Sequence, residues 1–169
     1  MSKTYKAAIA EAMQEAMDCN PHSLIIGQGV TDFKGIFDTI KGFVDRYPNR
    51  IIETPLSEDS VAGICIGAAL NGAYPINTHI RADFGLLIFN QLINLAAKYK
   101  YMFGGVFKVP SMYRMVIGRS WGQGAQHSQS LQSLMAHIPG LVVIMPADPK
   151  SIVESYRYAV QKYKGPVVM

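Results

Sequence analysis

The sequence predicts a three-layer α/β fold, a doubly wound and mostly parallel sheet of about six strands with helices on both faces. Three observations predict it. Short apolar runs closed by Gly, Asn or Pro alternate with stretches of helical periodicity from one end to the other. Six such strands alternating with helices argue for a parallel sheet covered on both faces. No internal repeat, low-complexity tract or linker interrupts the pattern, so residues 1–169 read as a single domain.

The elements follow in order. Ile9, Met13, Ala16 and Met17 fall on one face of a helix over residues 3–18. Leu24, Ile25 and Ile26 form a buried strand that Gly27 closes. Residues 36–46 carry helical spacing and stop near Pro48. Ile51 and Ile52 are strand-like, and Thr54-Pro55 provides a cap and first turn for the next helix, over about 57–71. That helix is rich in small residues. Gly63 and Gly67 each carry a penalty of about 1 kcal/mol in a helix interior, so they need a packing reason, either within the domain or against another subunit. A strand at 74–78 precedes a long helix at about 86–101 and a strand at 111–117. A Gly-rich loop at 118–126 leads into a helix at about 129–136. Leu141–Met145 reads as a strand, 149–162 as a helix, and Val167-Val168 as the start of the last strand.

Composition narrows the function. With 49% hydrophobic and 17% charged residues the chain is globular rather than disordered. Sixteen basic against twelve acidic residues give a net charge of +4, with only a loose cluster at Lys98, Lys100 and Lys108. No tract resembles a nucleic-acid patch, and no apolar stretch is long enough for a membrane span. The amino terminus lacks a signal-peptide core. Cys19 and Cys65 show neither metal-ligand spacing nor a disulfide framework, so a cytoplasmic location is expected.

Ligands bind doubly wound sheets outside the carboxyl ends of the strands. Three segments fall there: Thr54–Ser60, Thr78–Phe84 and Gly118–Gln129. Taken singly, each has a local explanation. Glu58 and Asp59 in a first helical turn are favoured by the helix dipole, Phe84 is a fitting core residue, and His127 is a fitting surface histidine. There is no Walker pattern, no G-x-G-x-x-G and no His/Cys/carboxylate cluster with metal-ligand spacing. The chain therefore carries no phosphate cradle or metal site of its own.

Together, however, the strings TPLSEDSVAGICIGAALNGAYPI, ADF, FNQLINLAAKYKYMFGG, VPSMYRMVIG, GAQHSQSL and HIPGLVVIMPADP resemble, in order, the amino-terminal domain of the beta subunits of thiamine-diphosphate-dependent 2-oxo acid dehydrogenases, within the transketolase-like superfamily. The resemblance implies the pyrimidine-binding domain of the thiamine-diphosphate-binding fold. It implies that Glu58 hydrogen-bonds N1′ of the aminopyrimidine, that Leu56 and Phe84 contact the same ring, and that His127 faces the reacting thiazolium and the substrate. Protonation at N1′ draws the 4′-amine to its imino form, which removes the thiazolium proton, a step a carboxyl group can serve and an amide cannot. It further implies a hetero-oligomer, a dimer or hetero-tetramer, with an alpha-type subunit that holds the diphosphate and magnesium. The family's carboxy-terminal domain is absent from these residues. The substrate would be a small 2-oxo acid. Two other readings share parts of the pattern: a transketolase-type carbon-transfer half-enzyme, and a non-catalytic assembly or regulatory partner.

The chain departs from its relatives around the pocket. Gln28-Gly29 stand where these subunits commonly carry acidic residues, and Ile80 and Arg81 where they carry polar or uncharged ones. Arg119 and Trp121 decorate the Gly-rich loop. Arg81 and Arg119 either meet a carboxylate, CoA or phosphate group of the substrate, or pair within the protein. The first alternative predicts a substrate other than plain pyruvate or a branched-chain 2-oxo acid.

Overall fold

Ile25, Ile76, Met112 and Val167 lie side by side in register across four parallel strands, and all four are fully buried. The next residue of each strand, Ile26, Asn77, Tyr113 and Val168, forms the matching row on the opposite face. Each large apolar side chain in such a row contributes about 1.5–3 kcal/mol by its burial. A one-residue slip would carry Asn77 into the first, wholly apolar row, so the pattern fixes the register. This computed structural model describes residues 3–118 and 122–169.

The strands are β1 (Ser23–Gly27), β2 (Ile51–Glu53), β3 (Tyr74–His79), β4 (Ser111–Met115), β5 (Val142–Val143) and β6 (Pro166–Val168). They form one all-parallel sheet in the order β2-β1-β3-β4-β6-β5. Helices α1 (Tyr5–Cys19) and α4 (Pro149–Arg157) pack together on one face. Helix α2 (Glu58–Leu70), the helical run 82–102 and α3 (Gln132–Ala136) cover the other. This is the three-layer arrangement that the alternation of signals predicts.

Local chemistry starts several elements where expected. The Thr4 hydroxyl caps α1 by accepting from the Ala7 amide at 3.2 Å. Asp148 caps α4 in a reciprocal box with Ser151, and Pro149 opens the first turn. Burial pushes the Cys65 thiol up to about 12, so it stays protonated in the core. Among the described residues, no helix is long and apolar enough to cross a membrane.

Other expectations need correction. The helix expected over 36–46 is two single turns, Gly35–Asp38 and Phe43–Arg46, because Ile36, Phe37 and Asp38 lie in the left-handed region at φ 45°, 59° and 60°. Such a conformation costs roughly 1–2 kcal/mol per residue and persists only where surroundings hold it. Here Ile36 and Ile40 are buried, and the Thr39 hydroxyl accepts from Arg114 Nη2 at 2.8 Å. Thr54-Pro55 does not begin a helix. Helix α2 starts at Glu58 with Ser57 in the cap position, which leaves Thr54 and Pro55 free to line a pocket.

The stretch 86–101 is not one regular α-helix. It passes from a tight 3-10 segment (Ala82–Ile88) through a wide π-helical one (Asn90–Ala96) to a short α-turn (Tyr99–Met102). Ile88, Leu92 and Ala96, four residues apart on this run, are buried in the core. The helix expected from 129 begins only at Gln132, because Gln129 is held by Asp83.

Gly27 closes β1 against β3. A Cβ there would lie 2.3 Å from the Thr78 carbonyl oxygen. Gly27→Ala is expected to destabilise the fold by about 1–3 kcal/mol through overpacking, read as a lower denaturation midpoint at unchanged slope. An unaltered midpoint would show that the strand ends can separate freely.

Candidate functional site

The strand order places β1 between β2 and β3, so the chain reverses its direction of growth across the sheet at β1. A crevice outside the carboxyl ends of the strands is expected there. It is lined by Gly27 and Gln28 after β1, Thr54 and Pro55 after β2, and Thr78, His79 and Ile80 at the end of β3. Glu58 and Val61 from the first turns of α2 form one wall, and Phe84 stands among the lining residues from the segment after β3. Two of the four site residues expected from sequence, Glu58 and Phe84, thus meet in one pocket, both half-buried.

The other two are placed differently. His127 is exposed on the loop after β4, with its ring edge-on to Phe84 at 5.7 Å between centroids. Leu56 precedes the pocket but does not line it, and its side chain is 68% exposed.

Position gives Glu58 its setting. It is the first residue of a 13-residue helix, where the unpaired backbone amides and the dipole favour a carboxylate. Its neighbour Asp59 turns away and accepts from Gln91 Nε2 at 3.2 Å, tying α2 to the run 82–102. A Cβ on Gly63 of α2 would lie in ordinary contact with Gln91 at 3.6 Å and one on Gly67 in open space, so packing within the domain requires neither glycine.

Several residues that shape the site carry no motif. The Glu53 carboxylate accepts from the Gly29 amide at 2.6 Å and from the Thr31 amide and hydroxyl at 2.9 Å, which folds the Gln28–Thr31 loop over the end of β1. The only hint in the sequence is an acidic residue directly after an apolar strand. His79 is buried beneath the pocket and donates Nε2–H to Asn77 Oδ1 at 3.0 Å, while Asn77 Nδ2 donates to the Ile26 carbonyl. Burial pushes the His79 imidazole down to about 4, so it is neutral near pH 7.

Arg81 pairs within the protein. Nη1 donates to the Ile80 carbonyl at 2.8 Å, Nε donates to Gln123 Oε1 at 2.8 Å, and the guanidinium lies 5.2 Å from the centre of the Phe37 ring. These contacts favour the second of the two alternatives given by the sequence. Arg119 and Trp121 lie outside the described residues.

The pocket encloses only about 20 Å³, room for roughly one water. It is one wall of a site rather than a cavity that surrounds a ligand. A roomier apolar cavity of about 130 Å³ at the carboxyl ends of β4, β5 and β6 is lined by the buried Arg114 but by no Asp or Glu side chain. Among the described residues no group of three or more His, Cys, Asp or Glu side chains is placed to hold a metal ion.

An all-parallel doubly wound sheet with an open crevice at its switch point, walled by a helix-terminal carboxylate and an aromatic ring, defines an α/β ligand-binding domain. The chain belongs to the transketolase pyrimidine-binding domain family, whose profile matches residues 1–169. It is 36% identical over 144 residues to the pyruvate dehydrogenase E1 component subunit beta-2, mitochondrial, of Oryza sativa subsp. japonica, covering 85% of this chain and 38% of that one. It is also 36% identical over 154 residues to the acetoin:2,6-dichlorophenolindophenol oxidoreductase subunit beta of Cupriavidus necator, covering 85% and 46%. The pyruvate dehydrogenase E1 component subunit beta of Rickettsia conorii is 36% identical over 147 residues, covering 86% and 45%. The chain thus spans less than half the length of these curated relatives. Among solved structures, a split gene transketolase described as an inactive beta4 tetramer superposes with a TM-score of 0.75 at 20% identity, over 95% of this chain and 48% of that one. That likeness speaks to the fold alone.

Proposed function

We propose that this chain is the pyrimidine-binding half of a thiamine-diphosphate-dependent 2-oxo acid dehydrogenase-type enzyme, an oxidoreductase component active only with an alpha-type partner. The observation that carries the reading is Glu58 at the first turn of α2, lining the switch-point crevice with Phe84 in a chain of this family. The residues fit an aminopyrimidine: a carboxylate to meet a ring nitrogen, and apolar surface from Phe84 and Val61 for the flat ring. Thiamine diphosphate, when bound, supplies the carbanion-stabilising chemistry.

Glu58 exchanges a proton with N1′ and orients the ring through the same hydrogen bond. Phe84 packs on the pyrimidine and excludes water from that side. His127, next to Phe84, moves a proton at the substrate on the open side of the site. Leu56, exposed at the rim, adds an apolar contact once a second wall covers it. That second wall, with the diphosphate and magnesium sites, belongs to the alpha-type subunit, in a dimer or hetero-tetramer. The smallness of the enclosed volume and the exposure of Leu56 and Ile64 support a partner here. The domain occupies 1–169, the location is the cytoplasm, and the substrate is a small 2-oxo acid.

Reconstitution tests this directly. The chain, an alpha-type partner, thiamine diphosphate and magnesium are expected to release carbon dioxide from at least one 2-oxo acid in a panel. Carbon transfer from ketoses alone would assign the transketolase-type reaction instead. A stable complex inert toward both panels would assign a non-catalytic assembly role.

A further inference from the structure

The loop that bears His127 has little to hold it in place. Residues 122–130 are exposed throughout, and Gly122 and Gly124 sit in the left-handed region at φ 64° and 87°. Among the described residues, a backbone hydrogen bond from the His127 amide to the Gly124 carbonyl at 3.2 Å shapes its tip. Exposed loops of this composition open readily, and a catalytic group needs a fixed geometry.

Two buried charged side chains grip this loop from beneath, one toward each end. Arg81 is 9% exposed, and its Nε and Nη2 both donate to Gln123 Oε1. Asp83 is 7% exposed, and its Oδ1 accepts from Gln129 Nε2 at 2.8 Å and from the Gln129 amide at 3.3 Å. Between these two clamps the His127 ring meets Phe84 edge-on. Arg81, Asp83 and Phe84 are nearly consecutive on the segment that leaves β3, the strand that floors the Glu58 pocket. Hydrogen bonds with one ionised partner are roughly twice as strong as neutral ones, so two neutral glutamines suffice to anchor the loop.

We infer that Arg81 and Asp83 are positioning residues, which clamp the loop at Gln123 and Gln129 and so set His127 against Phe84 at the mouth of the Glu58 pocket. The role deepens the functional reading given above and rests on it for the importance of His127. It also accounts for an arginine at position 81: the side chain orders the loop instead of meeting a substrate anion.

The test has two arms. In the first, hydrogen–deuterium exchange is followed across the full protein. Gln123→Ala alters only an exposed loop residue and leaves the core intact. It is expected to speed exchange in 122–129 about tenfold, with the sheet unchanged. Arg81→Met should do the same, and Asp83→Asn, which keeps an acceptor for Gln129 but loses the charge, should fall between wild type and Gln123→Ala. Unchanged exchange in the loop overturns the clamp. Faster exchange spread over the whole sheet also overturns it, because the role is then merely structural.

In the second arm, kcat/KM is measured in the complex with the alpha-type partner. Gln123→Ala should lower it by about tenfold in the wild-type background and by less than about twofold in His127→Ala, because the two act through one group. Additive losses overturn the link to His127. Should His127→Ala leave turnover intact, the functional reading fails, and the exchange data alone uphold or overturn the clamp.

Discussion

In the assembled enzyme, Glu58→Gln is expected to lower turnover by roughly 10²–10⁴-fold, the span that a positioned acid–base group contributes. Glutamine has the same shape and keeps an oxygen that can accept a hydrogen bond, but it cannot take up or return a proton. Little of the fold depends on the carboxylate. Among the described residues none hydrogen-bonds it, and its structural contribution is its place at the amino end of α2. Losing that charge costs about 0.3–1 kcal/mol, a small shift in a thermal melt. The variant therefore separates chemistry from stability: a nearly unchanged melt with turnover almost gone. Undiminished decarboxylation of the 2-oxo acid that the wild type consumes would end the role proposed for Glu58.

The second large effect is acid lability centred on His79. Its imidazole titrates near 6.5 when unfolded and is held down to about 4 by burial in the native protein. Between those values the unfolded chain binds a proton that the native state refuses, so stability rises with pH across the window and is lost as pH falls through it. The shift from 6.5 to about 4 corresponds to about 3 kcal/mol at 1.36 kcal/mol per unit. That is a large part of the stability of an ordinary domain. Denaturant titrations at pH 7 and pH 4 should show this loss in the wild type and a flatter profile in His79→Phe. Identical pH profiles for the two would place the acid sensitivity elsewhere. Because His79 lines the pocket, protonation would also place a buried charge beside Asn77, which braces the ends of β1 and β3.

Much of this was legible in the residues themselves. Leu24–Gly27 reads as a buried strand because it is a short apolar run closed by glycine, as a parallel sheet covered on both faces demands. The small-residue helix after Thr54-Pro55 was legible too, although its first turn lies three residues later than the Pro signal suggests. Segment 36–46 misled because Phe43 and Ile40 have helical spacing, yet burial of Ile36 and the Thr39–Arg114 hydrogen bond force a left-handed turn. The clamps on the His127 loop join residues 42 and 46 positions apart, and Glu53 reaches back 24 and 22 positions to Gly29 and Thr31. No local pattern records such pairings.

The sequence by itself therefore determined the layered α/β plan, the family, and the candidates Glu58, Phe84 and His127. These follow from periodicity and from short strings whose meaning is local. Tertiary structure alone decided that Glu58 and Phe84 share one crevice while Leu56 stays at its rim, and that Arg81 turns inward to the His127 loop. The physical reason is that a buried charge takes whatever partner the folded chain brings within hydrogen-bonding distance, and that partner is set by strand order and packing rather than by neighbours in sequence.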